Sequence, residues 1–182
     1  MITPSPYHNK ALKTKAFVLG CDPTAFDKDR NRIEFEYVFG IGKDKRYFAG
    51  INSNLVELGL SRESVYVQNL VTDYQEKETA KNPKWHDTAQ QYIKHRKAEF
   101  DAIDPGRTIP VFLTSELLYK VLLNDGEIQM KPSELYNSVT DFFIPANRNK
   151  LFRPLVPLYR HPAYSMKNKP EYAKRVTSIL NF

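Results

Sequence analysis

Three side chains able to bind or polarise a ligand stand where apolar runs of this chain come to an end. Asp22 follows the run Lys15-Ala16-Phe17-Val18-Leu19-Gly20 and the single cysteine, Cys21, and it leads into Pro23 and Thr24. Asn69 closes Ser64-Val65-Tyr66-Val67-Gln68, and His161 follows Leu155-Val156-Pro157-Leu158-Tyr159-Arg160. A carboxylate suits a positive centre, an imidazole donates a hydrogen bond or a proton, and a carboxamide offers a donor and an acceptor side by side. Ligands of open α/β sheets bind just outside the carboxyl ends of the strands, so polar groups converging there are the expected form of a functional pocket. Each residue alone also has an ordinary structural reading. Asp before Pro starts turns, His161 before Pro162 fits a surface turn, Asn69 can simply end its strand, and Phe39 can be core.

The elements that must carry these groups follow from periodicity and punctuation. Strands are predicted over about 15–20, 64–69, 109–113 and 155–159. Phe35, Tyr37 and Phe39 alternate with Glu34, Glu36 and Val38, either as a short strand or as an extended loop presenting aromatics. Asn52 or Ser53 is expected to cap a helix through Leu55, Val56 and Leu58, with Gly59 as its left-handed stop. The polar stretch 74–87 reads as a long loop anchored by Trp85. A helix over about 88–102 sets Ala89, Tyr92, Ile93, Phe100 and Ile103 inward, with Arg96 and Lys97 on the outer side. Ser115 or Thr114 caps the next helix, a short one starts near Pro132 within the irregular stretch 124–150, and Pro170 opens the last. Strands alternating with helices predict a three-layer α/β/α sandwich around a central, mostly parallel four-stranded sheet. Residues 1–14 form an N-terminal arm, and 15–182 a single domain. All four strands run the same way, collecting Asp22, Asn69, Thr114 and His161 along one edge.

Composition narrows the classes. At 182 residues the chain can bury a sizeable core, and 41% hydrophobic with 26% charged residues is ordinary for a globular protein. No apolar run approaches the roughly 20 residues of a membrane span, and the N-terminus lacks a signal-peptide core, which predicts a cytoplasmic, intracellular protein without a membrane partner. One cysteine excludes a disulfide framework, a multi-cysteine zinc site and a protein-held iron–sulfur cluster. The net charge is +6, and from Ala146 to Phe182 eight basic residues face one acid, Glu171. Such a tail favours a polyanionic partner, nucleic acid first, although a solvated face would look the same. Gly40-Ile41-Gly42-Lys43 lacks the spacing of a triphosphate loop, and neither a dinucleotide fingerprint nor a nucleophile elbow occurs.

Gly20-Cys21-Asp22-Pro23 resembles the Gly-Gln-Asp-Pro motif of the uracil-DNA glycosylase superfamily, and Leu158-Tyr159-Arg160-His161-Pro162-Ala163 resembles its second, His-Pro-Ser motif. Val67-Gln68-Asn69-Leu70-Val71-Thr72 is similar to the strand whose terminal Asn reads the base, and Val38-Phe39-Gly40-Ile41 stands where the family places its stacking aromatic. The helix at 51–60, Trp85 and the 111–113 strand fall in the same order, so the resemblance spans roughly residues 16–180. It implies a uracil-DNA glycosylase-like fold, a monomer, a DNA partner, single- or double-stranded, and hydrolysis of the N-glycosidic bond of uracil or a related damaged pyrimidine. Breaking that bond builds positive charge on the sugar and negative charge on the base, so electrostatic stabilisation at both ends should dominate. The resemblance assigns Asp22 to the sugar and its water, His161 to the pyrimidine oxygen, Asn69 to the base edge and Phe39 to the face of a flipped base. It implies no metal and no cofactor. Arg160, Lys167 and Lys169 are expected on phosphates. The alternative is a non-catalytic nucleic-acid-binding member of the same fold.

Departures from the pattern carry their own expectations. Cys21 replaces the usual Gln at a position that serves the pocket through its backbone. Thr24 stands where the best-known members carry a Tyr that blocks the thymine methyl, which predicts tolerance of 5-substituted pyrimidines unless Phe26 closes that side. The family's Leu wedge aligns with Ser165. Tyr164 or Met166 is the candidate substitute, and without a wedge single strands should be preferred over duplexes.

Overall fold

A computed structural model describes residues 2–44 and 46–180. The sheet has five strands, β1 Tyr7–His8, β2 Ala16–Gly20, β3 Val65–Asn69, β4 Val111–Leu113 and β5 Leu155–Pro157, in the order β1-β3-β2-β4-β5. The helices are α1 Ala49–Glu57, α2 Trp85–Ile103, α3 Glu116–Leu122, α4 Pro132–Asn137 and α5 Pro170–Ile179. The four expected strands are all present and mutually parallel. The fifth corrects the reading of residues 1–14 as an arm outside the sheet, because Tyr7 and His8 pair antiparallel with Val67 and Tyr66 on the open side of β3. The residues of β2, β3, β4 and β5 are buried throughout, as a sheet covered on both faces requires. Helix α2 packs with α3, while α1 and α5 both meet the turn at 166–168. Right-handed crossovers produce this grouping, since the chain passes from β2 outward to β3 and then back across β2 to β4.

Local chemistry explains most boundaries. The last turn of α1 is closed by Gly59, at φ 72°, with Leu60 N–H on the Leu55 carbonyl and Gly59 N–H on that of Val56. Its start, however, is Ala49 and not a cap at Asn52 or Ser53. Asn52 already donates to the Phe48 carbonyl four residues back, so it lies inside the helix. Ser115 caps α3 as expected, accepting from Leu117 N–H at 3.2 Å. Pro132 and Pro170 stand in the first turns of α4 and α5.

Of the two alternatives for residues 35–39, the extended loop is the one present, ending in a 3-10 turn at Val38–Gly40. Two further expectations are corrected. Helix α2 begins at Trp85, so that residue opens the helix instead of anchoring a loop. Along α2, Ala89, Ile93, Arg96 and Phe100 share the i, i+4, i+7, i+11 stripe, and all four are buried. Arg96 therefore lies inside, completely covered, and not on the outer side. Its guanidinium pairs with Glu99, which in turn accepts from the Tyr66 hydroxyl.

Candidate functional site

The carboxyl ends of β2, β3 and β4, with the segment after β5, open into a cleft of about 760 Å³. This is where the strand order reverses around β2, the position at which open α/β sheets bind ligands. Cys21, Asp22, Thr24, Phe39, Asn69, Arg160, His161 and Tyr164 all line it. Eight of the residues singled out in the sequence thus share one cavity, from segments as far apart as 21–24 and 159–164.

Asp22 is held on both oxygens. Its Oδ1 accepts Thr24 N–H at 2.9 Å, the turn expected of an Asp before Pro, and its Oδ2 accepts the Thr79 hydroxyl. A carboxylate has about four lone-pair sites, so acceptor capacity remains toward the cleft. Thr79 opens a 3-10 turn in a polar stretch with no recognisable motif, and nothing in the sequence marks it as a partner of Asp22. The Thr24 hydroxyl is fixed as acceptor for Gln75 N–H at 2.7 Å, tying the same stretch down a second time.

Asn69 and Phe39 meet over Gly20. Asn69 is 2% exposed, and a Cβ on Gly20 would collide with its Oδ1 and with the far edge of the Phe39 ring. Only glycine lets the carboxamide and the aromatic approach the strand end together. Phe39 has φ 57° and ψ 18°, left-handed values uncommon for a non-glycine residue, which turn the ring into the cleft. Backbone strain of this kind costs on the order of 1–3 kcal/mol and gathers at functional sites.

His161 is exposed at the cleft mouth, where its Nδ1 accepts Ala163 N–H at 3.2 Å. With Nδ1 taken by this contact, Nε2 is the ring nitrogen open to a ligand. The neighbouring Arg160 lays its guanidinium carbon 5.8 Å from the Phe39 centroid. Arg160 is exposed as a residue, and the partial loss of water that its guanidinium meets against the cleft wall draws it below its ordinary value. Burial also pushes the Cys21 thiol up to about 12, against a hydrogen bond with Ser115, so the thiol stays protonated and adds no charge. Thr114 lines the cleft too, but its hydroxyl is spent on the Leu19 carbonyl at 2.9 Å.

The remaining expected residues separate. Met166 is 1% exposed, with its N–H on Asn54 Oδ1, and is core, not a wedge. Tyr164 packs its ring 4.7 Å from that of Tyr136 and 5.9 Å from that of Tyr159, and Ser165 is half-buried. Lys167 is exposed and Lys169 half-buried, away from the cleft lining. The basic tail also resolves into two groups. Arg148 pairs with Glu127, Lys150 with Asp125, Arg153 with Asp101 and Asp104, and Lys174 with Glu171, while Arg175 donates to the Tyr136 carbonyl. Arg160, Lys167 and Lys169 have no ion-pair partner among the described residues.

Sequence reasoning missed Thr79, Tyr47, Phe35, Glu78, Ser115, Glu116 and Tyr159 as cleft residues. Phe35 and Tyr159 stood in segments already singled out, the aromatic loop and the run into His161, and Ser115 was marked as a helix cap just past a strand, whereas Thr79, Tyr47, Glu78 and Glu116 had no signal. Among the described residues no group of three or more His, Cys, Asp or Glu is placed to hold a metal ion, and no helix is long and apolar enough to cross a membrane. No family model matches the chain, and no curated protein matches it.

Proposed function

We propose that this chain is a DNA base-excision glycosylase of uracil-DNA glycosylase-like fold, hydrolysing the N-glycosidic bond of uracil or a related damaged pyrimidine. The observation that carries the reading is the convergence of Asp22, Phe39, Asn69 and His161 on one cleft at the reversal of strand order. A pyrimidine stacked on Phe39 meets Asn69 along its edge, where the carboxamide pairs with a ring N–H and a carbonyl. His161 donates Nε2–H to the pyrimidine oxygen that gathers charge. The C1′–N1 bond breaks with its electron pair leaving on the base, Asp22 steadies the cationic sugar, and water adds to C1′ and gives up the balancing proton. The abasic sugar and the free pyrimidine are the products.

Two features refine the substrate. Thr24, Glu78, Thr79 and Ala80 line the Asp22 side of the cleft with small or polar groups, and Phe26, which lines the cleft too, has its ring engaged by the Arg32 guanidinium at 5.6 Å, so 5-substituted pyrimidines are accepted there. Equal rejection of thymine and 5-hydroxymethyluracil opposite G would remove this part of the reading. Neither Tyr164 nor Met166 is free to fill the hole that a flipped base leaves, so single-stranded or unpaired targets are preferred over duplex ones. Lys167 and Lys169 take the phosphates, and the protein acts as a monomer inside the cell.

The test is single-turnover excision from a labelled oligonucleotide carrying uracil unpaired, opposite G and opposite A, with Asp22→Asn alongside. Abasic product that depends on Asp22, formed fastest from the unpaired substrate, supports the reading. Salt-dependent DNA binding with no excision across a panel of damaged pyrimidines would establish the non-catalytic alternative.

A further inference from the structure

Among the described residues that line the cleft, Arg160 is the only lysine or arginine, and it faces three carboxylates, those of Asp22, Glu78 and Glu116. Glu78 is neutralised by Lys81 at 2.6 Å and Glu116 by Lys120 at 2.8 Å. That leaves one negative and one positive group uncommitted, Asp22 and Arg160. Heterolysis of an N-glycosidic bond develops one positive and one negative centre. His161 stands at the cleft mouth with its Nδ1 taken by Ala163 N–H, so it offers a ligand a single hydrogen bond from Nε2, whereas Arg160 lies over the Phe39 ring itself. An anion leaving into a cleft with an unbalanced Asp22 would otherwise be repelled.

We propose that Arg160 is a catalytic residue that carries the counter-charge for the departing pyrimidine anion, and is not a phosphate contact. The proposal rests on the glycosylase reading for its reaction but not for its binding chemistry: the cleft is a site for anionic six-membered imide rings. The guanidinium already lies over Phe39, the platform on which the base would stack, at 5.8 Å. A ring sandwiched between the two would need two contact distances of about 3.5 Å each, so the guanidinium slides outward by only ~1 Å or moves to the ring edge. Either position keeps it against the base oxygens while the electron pair of C1′–N1 is delocalised over the ring. Arginine suits this role, being permanently charged and able to donate in a fork to a planar anion. The groups that act on its charge are the Cys21 thiol, which stays protonated, and Tyr47, and among the described residues lining the cleft no other lysine or arginine duplicates it.

The deciding experiment compares uracil and 5-fluorouracil as leaving groups in a single-stranded oligonucleotide, using wild type, Arg160→Gln and Arg160→Lys. Fluorine makes the departing anion more stable and less dependent on outside charge. Arg160→Gln is expected to lose about 100-fold in kcat on uracil, the usual scale for removing one preorganised anion donor. The loss should shrink to about 10-fold or less on 5-fluorouracil, with Arg160→Lys between the two proteins. An equal loss on both bases, or none, overturns the proposal, since a merely structural role is blind to the leaving group. A second readout needs no turnover: binding of free uracil and of the more acidic 5-nitrouracil, followed by titration calorimetry. Wild type should prefer 5-nitrouracil by about 10-fold or more and Arg160→Gln should not. If that preference holds while no oligonucleotide is cleaved, the anion site stands and the glycosylase reading falls. If wild type binds both equally, or neither, the Arg160 proposal falls whatever the excision assay gives.

Discussion

Two arginines flank β5, and they have opposite fates. Arg153, just before the strand, is completely covered; its guanidinium lies on Asp104 at 2.6 Å and Asp101 at 2.9 Å and over the Phe17 ring. Arg160, just after the strand, has no ion-pair partner among the described residues and faces the cleft. Both count equally toward the net charge. The difference lies in which end of the parallel sheet each occupies. The amino end is closed by the turn after α2, which brings two carboxylates to Arg153, while the carboxyl end is left open for a ligand. A charge near the amino end is therefore structural, and one near the carboxyl end is available for chemistry.

The largest expected effect breaks the structural side. Arg153→Ala removes a completely covered guanidinium and leaves the half-buried Asp101 and Asp104 without their partner, which should cost about 3–5 kcal/mol in denaturant unfolding, whereas Arg160→Gln should leave stability unchanged within about 0.5 kcal/mol. Equal effects of the two substitutions would dissolve the distinction. The same cluster sets an acid limit. Burial works against the Asp101 charge, but Lys97, Arg107 and Arg153 hold its carboxyl down to about 2. A carboxyl depressed in the folded state contributes stability above its unfolded value of about 3.9 and loses it as pH falls toward 2. Melting temperature should thus fall between pH 4 and pH 2, and that fall should be shallower in the Arg153 variant, whose folded Asp101 carboxyl lies closer to its unfolded value.

On the open side, Thr79→Val removes the hydroxyl that Asp22 Oδ2 accepts. A hydrogen bond to a charged group contributes about 1.5–3 kcal/mol, so kcat should fall about 10- to 100-fold with KM little changed, and Thr79→Ser should restore it. A loss in KM alone would make Thr79 a binding residue instead of one that positions Asp22. The smallest effect belongs to the exposed lysines. Lys167→Ala and Lys169→Ala should each lower the slope of log affinity against log salt by about 0.7 on single-stranded DNA, leaving cleavage of bound substrate unchanged. Arg160→Gln, if its role is the leaving anion, should leave that slope nearly intact.

The contrast also marks what the sequence could convey. Strand ends were legible because apolar runs stop at Gly20, Asn69 and Leu113, and in a parallel sheet their polar successors must share an edge. Asp22, Asn69 and His161 follow from that geometry, and Phe39 from its place in a loop of aromatics. Thr79 was illegible because its contact joins two segments 57 positions apart, with no periodicity to announce it. Arg96 and Arg153 were misjudged for a related reason. Charge is read from composition as though every guanidinium met water, but both lie within the apolar packing, Arg96 paired with Glu99 one turn along its own helix and Arg153 with carboxylates that the fold brings from α2 and its C-terminus. The arm was missed because a strand of two residues leaves almost no alternation to detect.

That short strand has a consequence for how the molecule behaves in company. A parallel sheet with open margins presents rows of unpaired amide and carbonyl groups, a template on which another chain can add itself. Here Tyr7 and His8 occupy the margin at β3, and Ile144 exchanges two backbone hydrogen bonds with Leu155, at 2.8 and 3.0 Å, on the margin at β5. Trimming the first eight residues should therefore make the protein prone to aggregate through the bared side of β3, and, because Ser5 exchanges backbone hydrogen bonds with Glu36 and Val38, it should also loosen the loop that carries Phe39.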